Sequence, residues 1–265
     1  GAESANSQAV LIYGNTGDYS PSASTGPLIV FDGLKIAPAT GGGITAFAGS
    51  SVLVQRSHIS TGSTSVGVTA QEGTNFFFLQ NLIENSSTAT VASFSGAVRH
   101  TNTWFKGGGI GLNLTGTKGS NLNSNYFSGQ SATGTGLLLS QGTASVQFNS
   151  NIMVGGGSTS TAVKVTSATA TTTYSSVSVQ GGTFSGYGTG ISVVGPQFVR
   201  IDAVLGTGNT TGVAVSLGAR AHVASGTTIT GTTEVNIDGV ASDYATMRAA
   251  SPKLITNTYG TIFHE

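Results

Sequence analysis

Apolar and polar residues alternate along most of this chain, and the alternation itself recurs. Val66-Gly67-Val68, Leu112-Asn113-Leu114, Ile191-Ser192-Val193 and Val213-Ala214-Val215 place apolar residues at every second position. That period predicts strand, not helix. Val68, Val91, Leu114 and Leu137 recur at one constant interval, and Ile36, Ile59, Leu82 and Phe105 share it. The interval is about 23 residues, within the range of stacked repeat architectures. A single coil cannot bury its apolar face alone. Two apolar ladders with one period therefore predict coils that stack, with both ladders pointing inward. Turns come from glycine clusters such as Gly41-Gly42-Gly43 and Gly107-Gly108-Gly109, because glycine reaches positive φ at no steric cost.

On this period the chain divides into nine coils, beginning near Leu28, Ser51, Thr74, Ala97, Ser120, Ala144, Thr172, Phe198 and Ala221. Those from Ala144 and Thr172 are longer than the rest, and include a Ser/Ala/Thr loop from Ser167 to Thr173. Each coil has two clear apolar clusters and a weaker one, which predicts three short strands. The expected fold is all-β: a single-stranded right-handed parallel β-helix of about nine coils. At about 4.8 Å per coil the rod is on the order of 43 Å long. An antiparallel sandwich is the competing architecture, but it does not predict a fixed period. The expected organisation is a lead-in segment 1–27, the solenoid 28–242, and a segment 243–265 that is either a cap or a subunit junction. In that last segment Ser242 reads as the N-cap of a short helix, Pro252 as its stop, and Lys253 to Tyr259 as a strand.

Composition narrows the function. Only 8% of the 265 residues are charged, and ten bases balance ten acids. No net field steers the chain to nucleic acid or to an anionic membrane. There is no run of about 18 apolar residues, so no spanning helix is expected. The start, Gly1-Ala2-Glu3-Ser4, reads as a fragment or processed chain and not as a signal peptide. Four scattered histidines, with no HExxH and no GGxGxD repeat, predict neither metal nor cofactor.

The polar residues that recur are the candidates for a site. Asn81, Asn102, Asn125 and Asn151 fall once per coil, each two residues before an apolar residue, and read as a stacked amide ladder at a corner, with a sugar-binding row as the functional alternative. Asp32 with Arg56, Glu84 with Lys106, and Arg220 with Asp243 are each separated by close to one period, the spacing of ion pairs across one coil step. Lys35 and His58 fall side by side near Glu84. Glycoside hydrolysis needs two carboxyl groups about 5–9.5 Å apart. In the early coils only Asp32, Glu72 and Glu84 are available, and they are weak catalytic candidates. Between Gly119 and Val199 the one charged residue is Lys164, so those coils hold no carboxylate for acid–base work. Trp104 and Tyr126 occupy equivalent corners of adjacent coils. Core packing is their default reading, and a sugar-stacking platform is the functional alternative, with His58 beside it. Asn85, Asn113 and Asn209 match the glycosylation pattern, as expected by chance at this Ser/Thr content.

The coil length and the Gly/Ser/Thr/Asn texture over residues 28–242 resemble the β-helical part of a bacteriophage tail spike or tail fibre. Ser251-Pro252-Lys253-Leu254-Ile255-Thr256-Asn257-Thr258-Tyr259-Gly260 resembles segments that close such spikes. Pectate lyases share the architecture, but the clustered Asp residues of their active sites have no counterpart here. The resemblance implies an extracellular virion-tail location, a homotrimer, other virion tail proteins as partners and a host surface polysaccharide as receptor. It leaves three functions open: a receptor-binding structural segment, a polysaccharide depolymerase (hydrolase or lyase), and a bacterial surface adhesin. Long apolar residues in the tail (Leu254, Ile255, Tyr259, Ile262, Phe263) and the charge-poor middle favour a trimer joined at that tail.

Overall fold

In a computed structural model of the chain, the structure describes residues 8–12, 28–38, 40–47, 49–93, 96–117, 119–140, 143, 145–166, 176–224, 226–249, 254–257 and 260–264. The chain winds into a parallel β-solenoid of about eight turns with a period of about 23 residues. Each coil contributes a strand to a first face, as in Ser51–Gln55, Asn75–Leu79 and Val98–Thr101. A short strand on a second face follows, as in His58–Ser60, Leu82–Glu84 and Trp104–Lys106. A strand on a third face closes the coil, as in Val66–Ala70, Thr88–Ser93 and Ile110–Thr115. From Ile152–Thr166 onward the second and third faces run into one continuous strand. Among the described residues successive coils pair in parallel, with antiparallel pairing confined to hairpins at the closing end, which excludes the sandwich. The lead-in segment supplies a strand of its own: Gln8–Ile12 pairs in parallel with Gly42–Ala46. The expected Ser167–Thr173 loop lies outside the described residues.

The register corrects both apolar ladders. On the third face one inward row reads Val68, Thr90, Leu112, Leu137, Val163, and a second reads Ala70, Ala92, Leu114, Leu139, Val165. Val91 is in neither row. It pairs with Thr69 and Asn113 and points outward. On the second face the inward row is Ile36, Ile59, Ile83, Phe105, Phe127, while Leu82 belongs to the outward row. The physical reason is that the coil steps are unequal. The step from Ser51 to its partner Asn75 is one residue longer than the step from Leu28 to Ser51. The step from Phe76 to Val98 is then shorter than either. A strict comb of constant spacing slips by one residue, and one residue in a strand reverses the face.

Two rows of special residues make the stacking possible. At the turn from first to second face, one residue per coil takes positive φ: Arg56 (50°), Gln80 (56°), Asn102 (51°), Ser124 (53°) and Ser150 (53°). The next residue is polar and buried: Ser57, Asn81, Thr103, Asn125 and Asn151. Asn81 Oδ1 accepts from the Ser57 amide at 2.9 Å, and its Nδ2 donates to the Val54 carbonyl at 2.8 Å. Asn125 Oδ1 accepts from the Thr103 amide at 2.9 Å, and Asn151 Oδ1 from the Asn125 amide at 2.8 Å. The amides supply inter-coil hydrogen bonds where the backbone turns away. Asn102 is not part of this ladder. It occupies the positive-φ corner, and Thr103 takes the buried place.

The second row is small: Gly43, Gly67, Ala89, Gly111, Gly136, Ala162, Gly190 and Gly212 stack in register on the third face. A Cβ on Gly111 would lie 2.6 Å from the Gly136 carbonyl oxygen and 2.8 Å from the Phe127 ring. The row ends at Glu234, where the stack ends too. There the carboxylate accepts from the Tyr244 amide at 2.9 Å and ties the closing helix to the last coil.

That helix is Tyr244–Ala249. Its N-cap is Asp243, not Ser242: Asp243 Oδ1 accepts from the Thr246 amide at 2.7 Å and Oδ2 from its hydroxyl at 3.0 Å. The cap geometry also cancels the expected Arg220–Asp243 pair, because Asp243 is turned to the helix while Arg220 stacks between Phe198 and Thr261. The tail then closes the end of the first face. Gly260–His264 pairs in parallel with Arg220–Val223, and Leu254–Asn257 pairs back on it antiparallel. Pro252 and Tyr259 lie outside the described residues.

One core residue is out of character. His100 is buried in the first-face row, stacked on Phe78 at 4.2 Å and edge-on to Phe105 at 5.0 Å. Neither ring nitrogen has a hydrogen-bond partner. Burial pushes its pKa down from 6.5 to about 3.

Register and burial each give a test. Leu114→Asp puts an unpaired charge in the core and abolishes soluble folded protein, whereas Val91→Asp changes stability by less than about 1 kcal/mol. Urea unfolding of both variants checks this, and equal damage at the two positions would overturn the register. His100 stays neutral in the fold while the unfolded chain takes up a proton below pH 6.5, so its contribution is full above pH 6.5 and is lost as pH falls toward 3. We expect a loss of about 3 kcal/mol between pH 6.5 and 4, removed in His100→Leu. Denaturant titrations across that range measure it.

Candidate functional site

Outward rows on the second face bring the site together. Lys35, His58, Leu82, Trp104, Tyr126 and Ile152 stand in one register, one residue per coil. Neighbours in such a row are about 4.8 Å apart. Alongside runs the positive-φ corner row Gly33, Arg56, Gln80, Asn102. These two rows line an open groove of about 500 Å³.

The aromatic pair faces solvent, which corrects the core reading. Trp104 is 39% exposed, its Nε1–H donates to Ser128 Oγ at 2.8 Å, and its ring tilts against Tyr126 at 5.5 Å. Lys106 Nζ sits over the Trp104 ring at 5.4 Å. The row places these rings outward because inward positions on the same strands are held by Phe105 and Phe127, stacked at 4.6 Å. Trp104 and His58 both line the groove. Tyr126 stands one coil beyond, against Trp104.

The charges are paired across coils. Arg56 grips Asp32 through Nε and Nη2, and Gln55 adds a third hydrogen bond to the same carboxylate at 3.0 Å. The Arg56 hydrogen bonds hold the Asp32 carboxyl below its ordinary pKa. Glu84 accepts from His58 Nε2 at 2.8 Å and from Lys106 Nζ at 3.2 Å. Burial alone would raise the Glu84 pKa, but those two partners outweigh it and the net shift is downward. Among the described residues Lys35 has no acidic partner.

This arrangement bears on the carboxylate candidates. A glycosidase keeps one carboxyl protonated as general acid, with a raised pKa. Asp32 and Glu84 are shifted the other way. Glu72 sits exposed on the turn between Val66–Ala70 and Asn75–Leu79, at the corner between third and first faces, away from the second-face row that carries Glu84. Each of Asp32 and Glu84 is engaged by its own basic partners.

Gln80 escapes the sequence reading as a lining residue, whereas Asn81 and Asn102 belong to the recurring asparagine row and both line the groove. The signal of Gln80 is the interval of about one coil from Arg56 to Gln80 and again from Gln80 to Asn102, which places all three at one corner. Asn209 is more than a chance glycosylation match. Its buried amide accepts from the Tyr187 amide at 3.0 Å and donates to the Phe184 carbonyl at 3.3 Å. Among the described residues no three metal-type side chains converge, and no helix is long and apolar enough to cross a membrane. Comparison with protein-family models, curated proteins and solved structures finds no match to the chain.

Glu84→Gln leaves both partners near the surface, where ion pairs contribute little. We expect it to change unfolding free energy by less than about 1 kcal/mol in urea titrations at pH 7, with native circular dichroism.

Proposed function

We propose that the chain is a non-catalytic, glycan-binding segment of a bacteriophage tail spike or tail fibre, working as a homotrimer on the virion tail. The observation that carries this reading is the groove: a half-exposed Trp104 beside a row of amide and basic side chains, on a rigid sheet. Aromatic faces with adjacent hydrogen-bonding groups suit sugar rings, whose C–H faces stack while their hydroxyls are read at the edge. The environment of the acids supports binding without cleavage, since basic partners lower the pKa of Asp32 and Glu84 and neither is raised as a general acid requires.

Assembly draws support from the other half of the rod. Ile152, Val154 and Leu205 stand exposed on the second face, Leu205 at 53%, in the charge-poor stretch and just beyond it. Exposed apolar residues on one charge-poor face, here separated by Thr183 and Ser185, suit a subunit interface.

The test joins binding and chemistry. Incubation with host capsular or O-antigen polysaccharide is expected to give retention on the glycan with no new reducing ends and no unsaturated product. Trp104→Ala is expected to lose binding at least tenfold while melting like the parent chain. New reducing ends that disappear in Glu84→Gln would favour a depolymerase instead. Light scattering is expected to give three times the 26.4 kDa chain mass. A monomer at micromolar concentration would reject the trimer.

A further inference from the structure

The groove is not uniform along its length. Its two rows run through three coil steps, about 14 Å from first to last at about 4.8 Å per step. At the Gly33–Lys35 end the groove is lined by a lysine. At the Asn102–Trp104 end it is lined by a neutral amide and an indole. That span accommodates a short oligosaccharide, so the two ends would meet different units of one ligand.

The charges decide what the first end would take. Lys35, Arg56 and Lys106 carry three positive charges near the groove, and Asp32 and Glu84 carry two negative ones. Asp32 is used by Arg56, and Glu84 by Lys106 and His58. The uncompensated charge is therefore on Lys35, which is exposed, lines the groove and has no ion-pair partner among the described residues. Lys35 neighbours His58 in its row but leaves Glu84 to it.

We infer that the groove takes an acidic glycan, with the carboxylate of a uronic or sialic acid unit at Lys35 and a neutral unit against Trp104. This rests on the glycan-binding reading above and adds the sugar class and the direction of the chain. The Arg56–Asp32 and Glu84–Lys106 pairs are already satisfied and do not compete for the ligand's charge. A carboxylate set against Lys35 forms a charge-assisted hydrogen bond, stronger than one between neutral groups. A neutral sugar at the same position leaves the lysine with only its water.

The chain has one tryptophan, so the Trp104 indole N–H gives a single, unambiguous NMR signal. The probes are sialyllactose against lactose and the disaccharide glucuronyl-β1,4-glucose against cellobiose, followed through that signal at low ionic strength. The acidic member of at least one pair is expected to bind about tenfold tighter than its neutral partner, and Lys35→Gln to erase that difference. Added salt is expected to weaken the acidic sugar alone. Equal affinities within both pairs, or a preference that survives Lys35→Gln, would overturn the acidic assignment and leave glycan binding standing. If none of the four sugars moves the Trp104 signal, glycan binding in this groove falls with it.

Discussion

Everything in this molecule depends on one repeated interaction, the parallel hydrogen bonding of each coil to the next at about 4.8 Å. That distance is shorter than most side chains are wide. A row therefore holds residues that tolerate their own kind above and below. Apolar groups stack inside, amides stack at the corner, and glycine or alanine stands where two backbones approach too closely for anything larger. Gly111 and Gly136 show the limit, because a single added carbon would strike the neighbouring carbonyl. The row ends in Glu234 only where the last coil has a helix to receive its carboxylate in place of another strand.

The same constraint shapes the surface. Residues one coil apart in the chain become neighbours, so a groove is assembled from single residues of successive coils. Lys35, His58, Leu82 and Trp104 make one wall, and Arg56, Gln80 and Asn102 the other. The side chains of such a site are held by a sheet, which suits recognition of an extended polymer lying across the coils.

Charge is scarce and is used across coil steps. The corner acid Asp32 answers the corner base one coil on, and Glu84 sits between bases from the coils on both sides. Pairing of this kind stabilises little at the surface, but it lowers the pKa of both acids and leaves Lys35 without an acidic partner among the described residues. The buried His100 is the contrary case. It is carried in an aromatic stack with no partner, and its neutrality is enforced by desolvation alone.

How far all this was legible in the chain follows from the same geometry. The alternation of Val, Ile and Leu and the mean period are local and additive, so the strands, the stacking and the Asp32–Arg56, Glu84–Lys106 and Lys35–His58 neighbours could be read from spacing alone. The face of any one residue could not. Coil steps of unequal length average to the period but shift each strand, and a shift of one residue moved Val91 and Leu82 outward and replaced Asn102 by Thr103 in the amide ladder. Trp104 reads as core because it is large and apolar, yet Phe105 already holds the inward place on its strand. Asp243 sits at the right distance along the chain from Arg220 but meets a helix amide first. The sequence by itself determined that coils stack and roughly which residues become neighbours. The tertiary register, through the two-fold alternation of a strand, decided which side chains are buried and which line the groove.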